Sequence, residues 1–214
     1  MSVPRLADPL RAVALAATGF MPADEGDALY VAALDAGRRR PGEVFVEVGS
    51  YCGRSTVWVG AAARESSTVL HAVDHHGGSE ENQPGWEWHD PSLVDPATGR
   101  INTLPHFERT IDAAGLGDCV VAQVGESAVI AASWTMPIGF LFIDGGHGRE
   151  VARADWQGWS PHVSVGGVLA IHDVFVDPAA GGQAPYEEIY LPAVSTGFVE
   201  TSRTGSLRVL VRER

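Results

Sequence analysis

Apolar and polar residues follow two alternating periods along most of this chain. Short apolar runs, typical of strands buried on both faces, predict strands at 44–48, 69–73, 119–123, 139–143 and 165–171. Between these runs, apolar residues recur every three or four positions and predict helices at 55–65, 104–114, 126–134 and 149–159. This regular alternation predicts an α/β fold built on a doubly wound parallel sheet.

The carboxyl-terminal part departs from the alternation. After a further helix predicted at 186–194, two strand-like segments at 197–202 and 207–212 flank a tight turn. Two consecutive strands joined in this way form an antiparallel pair, which we expect at one edge of the sheet. The chain has no internal repeat, so residues 43–214 are expected to form one domain.

The amino-terminal part precedes the first strand. Helical spacing predicts helices at 6–17 and 24–37, and the acidic residues that begin the second helix suit its dipole. We interpret residues 1–42 as a helical lid or dimerisation segment and expect a homodimer. The apolar stretch in the first helix is too short to span a membrane, so we expect a cytoplasmic protein without membrane association.

Composition and charge exclude several classes of protein. The chain has 214 residues and a formal net charge of −12, whereas a nucleic-acid-binding protein needs a basic face. All 15 basic residues are arginines, which excludes a P-loop lysine and the Tyr-x-x-x-Lys pair of many dehydrogenases. Arginine used in place of lysine also points to a GC-rich bacterial genome, such as that of an actinobacterium. Cys52 and Cys119 are expected to be reduced thiols rather than a disulfide.

A glycine turn follows the first predicted strand. Gly49 and Gly53 separate this strand from a helix that has Ser55 near its start. In such a turn, backbone N–H groups and the helix N-terminus can approach a polar or negatively charged ligand group. The turn lacks the Gly-Lys-Ser/Thr of a P-loop and the full glycine pattern of a dinucleotide fold. Glu47, at the strand end, offers a carboxylate to a cation such as an amino group.

Acidic residues lie at or next to the ends of four predicted strands. They are Glu47, Asp74, Asp144 and Asp173. Ligands of open α/β sheets bind at the carboxyl ends of the strands, so we expect these carboxylates to share one edge of the sheet. There Asp74 can accept both hydroxyls of a ribose. A role in capping a helix or a turn is the alternative interpretation of Asp74.

Two motifs resemble those of one protein family. Residues 47–55 (Glu-Val-Gly-Ser-Tyr-Cys-Gly-Arg-Ser) resemble the first motif of class I S-adenosylmethionine (SAM) dependent methyltransferases. Residues 140–147 (Phe-Leu-Phe-Ile-Asp-Gly-Gly-His) resemble the Phe-Ile-Asp-Gly-x-His motif of small-molecule O-methyltransferases of the cephalosporin-hydroxylase-like and macrolide-sugar group. The resemblance implies a Rossmann-like, mostly parallel seven-stranded sheet with helices on both faces, whose last strand inserts antiparallel.

The resemblance also implies a SAM-binding site. The glycine turn and the strand-end acids would contact the cofactor, and the segment after the third long strand would face its adenine. The implied cofactor-binding residues are Glu47, Gly49, Ser50, Tyr51, Gly53, Ser55, Asp74, Glu126, Ser127 and Asp144. A simple helix cap is the alternative interpretation of Glu126 and Ser127.

His147 is the candidate general base, because the resemblance places it within reach of the acceptor and imidazole titrates near neutrality. Asp144 and Asp173 would orient it or bind a metal ion. Some relatives carry two adjacent acids at the positions of His172 and Asp173, and these surround Mg²⁺ together with the acid at Asp144. Here a histidine replaces the first acid, and Mg²⁺ prefers oxygen ligands. The set Asp144, His172 and Asp173 therefore leaves a requirement for Mg²⁺ open.

A long insertion after Asp74 is rich in aromatic, histidine and acidic residues, a composition suited to a carbohydrate acceptor. Aromatic faces stack on the C–H surfaces of a sugar, and polar groups bind its hydroxyls. A surface loop packed on its own tryptophans is the alternative. The candidate acceptor-binding residues are His75, His76, Trp86, Trp88, His89 and, beyond a second Gly- and Pro-rich loop at 177–186, Tyr190.

Together these features predict a SAM-dependent O-methyltransferase that acts on a hydroxyl of a small molecule. A sugar is the preferred acceptor, and the 1-hydroxyl of a methylated mannoside is the narrowest candidate. A nicotinamide-dependent oxidoreductase on a similar sheet is one alternative, although the missing dehydrogenase motifs count against it. A non-catalytic SAM-binding domain is the other, and the grouping of His147 with Asp144 and Asp173 counts against that.

Overall fold

The computed structural model describes residues 4–214 and contains nine strands and seven α-helices in that range. The strands are β1 (Val44–Val48), β2 (Leu70–Asp74), β3 (Val94–Asp95), β4 (Arg100–Ile101), β5 (Val120–Val124), β6 (Ile138–Ile143), β7 (Val163–Ile171), β8 (Phe198–Thr204) and β9 (Leu207–Arg212). The α-helices are α1 (Asp8–Ala16), α2 (Ala23–Arg39), α3 (Arg54–Glu65), α4 (Leu104–Ala114), α5 (Ser127–Ala132), α6 (Arg149–Trp159) and α7 (Leu191–Ser195).

Seven strands form one sheet in the order β5-β2-β1-β6-β7-β9-β8, and β3 and β4 form a separate hairpin. Neighbouring strands from β5 to β7 are parallel, while β9 runs antiparallel to both β7 and β8. The last strand thus inserts between β7 and the edge strand β8. The predicted mostly parallel, Rossmann-like seven-stranded sheet is confirmed.

The sheet is covered on both faces, which explains why its strands read as continuous apolar runs. On one face, Phe45 and Phe140 pack with Trp58 of α3 and with α2. On the other face, Leu141 packs with Trp159 of α6 in a second buried cluster. Helices on both faces leave the carboxyl-terminal edge of the sheet as the place where polar groups from different strands can meet.

The register of the parallel strands aligns their ends. Val48 of β1 pairs with Val73 of β2 and with Ile143 of β6, and Ile143 pairs with Ile171 of β7. The next residue of each strand therefore follows at one level of the sheet. These residues are Asp74, Gly49, Asp144 and His172.

The amino-terminal helices are part of the layer that covers one face. Leu29 and Ala33 of α2 are fully buried, and Gly26 lies so close to the Trp58 ring that a Cβ there would be 2.6 Å from it. The helix therefore packs directly on α3 and on the sheet. Of the predicted lid or dimerisation segment 1–42, residues 1–3 lie outside the described residues, and its role between copies of the chain stays a prediction.

Most helix and strand positions match the sequence pattern, and the differences lie near the carboxyl terminus and in the insertion. The helix predicted at 186–194 is a π-helical segment, Pro185–Tyr190, that continues into α7. The insertion between β2 and α4 contains two 3₁₀ turns and the β3–β4 hairpin. Cys52 and Cys119 are free and buried. Within residues 4–214, every helix is too short or too polar to cross a bilayer.

Candidate active site

The loop after β1 brings two strand ends into direct contact. Gly49 has φ +89°, and a Cβ at this position would lie 2.2 Å from the carbonyl oxygen of Asp144 at the end of β6. Gly53 and the non-glycine residue Tyr51 also adopt left-handed conformations, with φ +88° and +48°. Since the chain order reverses between β1 and β6, this loop lies at the switch point where open α/β sheets bind ligands.

The side chains of Glu47 and Ser55, on either side of this loop in the chain, are buried and do not line a cleft. Glu47 is fully buried, and its two carboxylate oxygens accept hydrogen bonds from the hydroxyls of Ser55 and Thr56, each at 2.6 Å. The contacts tie the end of β1 to the first turn of α3. The side chains of Glu47 and Ser55 thus satisfy each other in the interior, and their predicted direct contacts with a cofactor stay predictions.

Burial raises the pKa of Glu47 to about 8, more than the Ser55 and Thr56 hydroxyls lower it. Between about pH 4.5 and 8 the folded protein thus binds a proton that the unfolded chain has released, so its stability falls as pH rises through this window. Glu47→Gln keeps the size of the side chain and removes the titration.

As the pH rises from 5 to 8, we expect Glu47→Gln to become more stable relative to the wild type. The relative gain in unfolding free energy should be on the order of 1 kcal/mol per pH unit. Urea unfolding at each pH measures it. Glu213→Gln, at an exposed position, is the control. Parallel stability curves for the wild type and Glu47→Gln would show that Glu47 is ionised in the folded protein.

Asp74 joins the end of β2 to the glycine loop. Its Oδ2 accepts the backbone N–H of Tyr51 and its Oδ1 accepts that of His76, both at 2.7 Å. Each carboxylate oxygen can accept a second hydrogen bond, so the carboxylate can still bind ribose hydroxyls. Beside it, the buried hydroxyl of Ser50 has no hydrogen-bond partner among the described residues. A polar group of a bound cofactor could satisfy this atom.

His147 lies between two carboxylates. Its Nδ1 is 2.9 Å from Oε2 of Glu81 in the insertion, and its Nε2 is 3.1 Å from Oδ2 of Asp173. The hydrogen bond with Asp173, helped by the charges of Glu81 and Asp144, raises the pKa of His147 to about 9 against the effect of burial. The ring is therefore an imidazolium at pH 7 and can accept a proton only after it has lost one.

His172 is a second buried imidazole in the same cluster. Its Nδ1 is 3.0 Å from Oδ1 of Asp144 and 3.4 Å from Oδ2 of Asp173. Its Nε2 is 2.8 Å from Oε2 of Glu25 in α2, an ion-pair distance without hydrogen-bond geometry. Burial opposes the charge, but Asp144, Asp173 and Glu25 outweigh it and raise the pKa of His172 to about 12. Both ring nitrogens thus carry protons.

Asp173 contacts both His147 and His172, and its backbone is strained. Its φ is +53°, an unfavourable conformation for a residue with a side chain, and such strain concentrates at functional sites. Burial alone would raise the pKa of Asp173, but hydrogen bonds from His147 and His172 hold it well below its ordinary value. Asp173 is therefore a carboxylate shared by two imidazolium rings.

The residues near Asp144 do not fit Mg²⁺. Both nitrogens of the predicted ligand His172 face carboxylates, at 2.8 and 3.0 Å, so its role as a metal ligand stays a prediction against which this geometry counts. Asp144, His147 and Asp173 do place one ligand atom each within 4.8 Å of one another. This set supplies two carboxylates and an imidazole nitrogen, whereas Mg²⁺ prefers oxygen ligands. The His172 imidazolium, in contact with both carboxylates, would also repel a cation.

Glu126 and Ser127 lie after β5, where the resemblance places the adenine. Glu126 is exposed and its side chain makes no capping hydrogen bond, so it remains open to a ligand. Ser127 instead accepts a 2.8 Å hydrogen bond from the indole N–H of Trp159. It also lies against Asp155, whose pKa burial raises to about 6. Ser127 therefore helps to hold α6 against α5.

The histidines of the insertion mostly have structural partners. His76 is buried, and its Nδ1 is 2.7 Å from the hydroxyl of Thr103. The Nδ1 of His89 is 2.8 Å from the carbonyl oxygen of Asn82. His75 accepts the backbone N–H of Gly77 through Nδ1. The acceptor contact of His76, which is buried in this structure, stays a prediction.

The tryptophans of the insertion are open to solvent. Trp86 is 52% exposed and Trp88 is 49% exposed. The ring of Phe20, in the link between α1 and α2, lies 5.3 Å from that of Trp88 and 5.7 Å from that of Tyr51 in the glycine loop. Phe20, Tyr51 and Trp88 thus form one aromatic surface from three separate segments, which we call the aromatic wall.

Tyr190, which follows the Gly- and Pro-rich loop at 177–186, has partners within the fold. The hydroxyl of Tyr190 donates to Glu200 of the edge strand β8 at 2.8 Å, and its ring stacks on Tyr186. Its contact with the acceptor stays a prediction. Pro185 and Ile189 of the π-helical segment border a cavity of about 10 Å³ beside Asp144. Such a cavity holds a water molecule at most.

Glu25, Glu81 and Phe20 belong to this region and were not identified from sequence. Glu25 begins a helix, where a carboxylate is expected for the dipole alone. Glu81 is one acid among several in an irregular segment. Since each reaches the strand ends through tertiary packing, local pattern contains no signal for it.

Comparisons with known proteins agree with this geometry. Residues 46–174 match the family model described as a methyltransferase domain. The O-methyltransferase NovP is 18% identical, with 90% of this chain and 81% of that chain covered and a TM-score of 0.67. Cofactor-bound Rv0187 from MTB is also 18% identical, with 97% and 91% covered and a TM-score of 0.66. The apo structure of CalS11, described as TDP-rhamnose 3′-O-methyltransferase, is 16% identical, with 87% and 76% covered and a TM-score of 0.58.

Proposed function

The chain belongs to the methyltransferase domain family, and we propose that it transfers a methyl group from SAM to a hydroxyl group of a small molecule. The main support for this proposal is the close approach of Gly49 to Asp144 at the switch point. Both residues lie within 46–174, the range that matches the family model. Asp74 lies beside this contact and His147 lies on its far side. A cofactor and an acceptor can therefore be placed next to each other.

The residues that would hold SAM are those of the glycine loop and the neighbouring strand ends. Asp74 retains acceptor positions for the ribose hydroxyls, and the unpartnered Ser50 hydroxyl offers a hydrogen bond. When bound, SAM supplies an electrophilic methyl group on a cationic sulfur.

Methyl transfer to a hydroxyl requires alignment of the oxygen with the methyl group and removal of the hydroxyl proton. We assign the proton to Nδ1 of a neutral His147 ring, which the acceptor hydroxyl would reach in place of Glu81 while Nε2 stays on Asp173. A cationic sulfur held beside His147 would disfavour its imidazolium, so cofactor binding would lower the pKa of this ring. Asp173 then orients the ring and stabilises the charge that the ring gains with the hydroxyl proton.

A sugar acceptor is supported by the aromatic wall and by the polar groups of the same insertion. Phe20 and Trp88 are about half exposed, and Glu81, in the same insertion as Trp88, contacts His147. This combination suits a molecule with both C–H faces and hydroxyls. The similar fold of CalS11, described as TDP-rhamnose 3′-O-methyltransferase, agrees with an acceptor of this class.

Transfer of a labelled methyl group from SAM to a panel of free sugars, nucleotide sugars and methyl glycosides tests the proposal. With the best acceptor, Trp88→Ala should raise KM by roughly 3- to 10-fold, the loss of one aromatic contact, with a smaller change in kcat. Val165→Ala, an exposed apolar position at the other end of β7, is the control. Transfer to amines but to no hydroxyl compound would contradict the proposed acceptor class.

A further inference from the structure

Glu25 and His172 form an ion pair beneath the candidate active site that the proposed reaction does not use. Both side chains are nearly inaccessible, at 6% and 4% exposure. Glu25 is also held by Ser206, whose backbone N–H donates to it at 2.9 Å and whose hydroxyl lies at 3.1 Å. Glu25 of α2 therefore links the imidazole ring of His172 to the turn between β8 and β9.

The His172 ring lies beside the two carboxylates of the candidate metal group. The ring sits between Asp144 and Asp173, at 3.0 and 3.4 Å. It therefore donates N–H groups where a carboxylate would offer oxygen atoms, and it neutralises the two carboxylates that remain.

We propose that the Glu25–His172 pair takes the place of a divalent metal ion, so that the protein works with a built-in imidazolium cation. His172 separates and fixes the carboxylates of Asp144 and Asp173, and Glu25 fixes His172. Asp173 is then held at the position from which it orients His147. The role of this pair in positioning Asp173 and His147 rests on the proposed function. The predicted lack of Mg²⁺ binding does not depend on that function.

The test is calorimetric titration of Mg²⁺ into the wild type and two variants, each with and without S-adenosylhomocysteine (SAH). The wild type should bind no Mg²⁺ at millimolar concentrations. His172→Asp supplies a third neighbouring carboxylate, and His172→Asn supplies an oxygen ligand with little change in size. We expect each folded variant to bind Mg²⁺ and to gain several degrees in melting temperature when Mg²⁺ is added. His162→Asp, at the opposite end of β7, should behave like the wild type.

Two outcomes would overturn the inference: Mg²⁺ binding by the wild type at millimolar concentrations, or folded His172→Asp and His172→Asn proteins that do not bind Mg²⁺. The wild-type measurement decides even if both variants fail to fold. In a transfer assay, turnover by the wild type should be unchanged by EDTA, and loss of turnover in EDTA would also contradict the inference. Failure of SAH to bind would instead contradict the proposed function, and the Mg²⁺ titrations without SAH would still test the ion pair.

Discussion

His147→Ala is expected to lower kcat for methyl transfer by about 10²- to 10⁴-fold while leaving the affinity for SAH nearly unchanged. This range is the usual contribution of a positioned general base. The ring is held by Glu81 and Asp173 at 2.9 and 3.1 Å, so its removal leaves the glycine loop and Asp74 intact. Turnover with saturating SAM and calorimetry with SAH separate the two quantities.

The pH profile distinguishes a base from a structural histidine. Because the pKa of His147 is raised to about 9, the neutral form is a small fraction at pH 7 and grows tenfold per pH unit. The kcat/KM for SAM, which reports the free protein, should therefore rise from pH 7 and level off near pH 9. His162→Ala is the control and should retain the wild-type profile. Wild-type turnover in His147→Ala, or a flat wild-type profile, would rule out this role.

Gly49→Ala is expected to abolish detectable SAH binding and to destabilise the protein. The new methyl group would lie 2.2 Å from the Asp144 carbonyl oxygen, so the β1 and β6 strand ends would have to separate. The left-handed backbone adds about 1–2 kcal/mol for alanine. SAH calorimetry and thermal unfolding measure the two effects.

Gly42→Ala provides the matched control. Gly42 also has a left-handed backbone, with φ +82°, but a Cβ there meets no atom within 4 Å. It should lower stability through backbone strain alone and leave SAH affinity unchanged. If Gly49→Ala bound SAH like Gly42→Ala, the contact between β1 and β6 would not shape the cofactor site.

The sequence was sufficient for the sheet and for the edge at which the polar groups meet. Strand periodicity located β1 and β6, and the register then placed Asp74 and Asp144 at one level. These features are local, because a buried parallel strand is apolar along its length and its polar end is visible in the chain.

The partners of those residues were not predictable in the same way. Glu47 was interpreted as a ligand for a cation, but its carboxylate is satisfied by α3. His172 was interpreted as a metal ligand, but Glu25, more than a hundred residues earlier in the chain, occupies its second nitrogen. Such pairs depend on how helices pack on the sheet, and the pattern along one segment contains no information about them.

The most direct test of the account is calorimetric titration of the wild type with SAH. We expect micromolar or tighter binding of one SAH per chain, and loss of this binding in Gly49→Ala but not in Gly42→Ala. This result would place the cofactor at the switch point between β1 and β6. A wild type that is folded and binds no SAH would contradict the methyltransferase proposal.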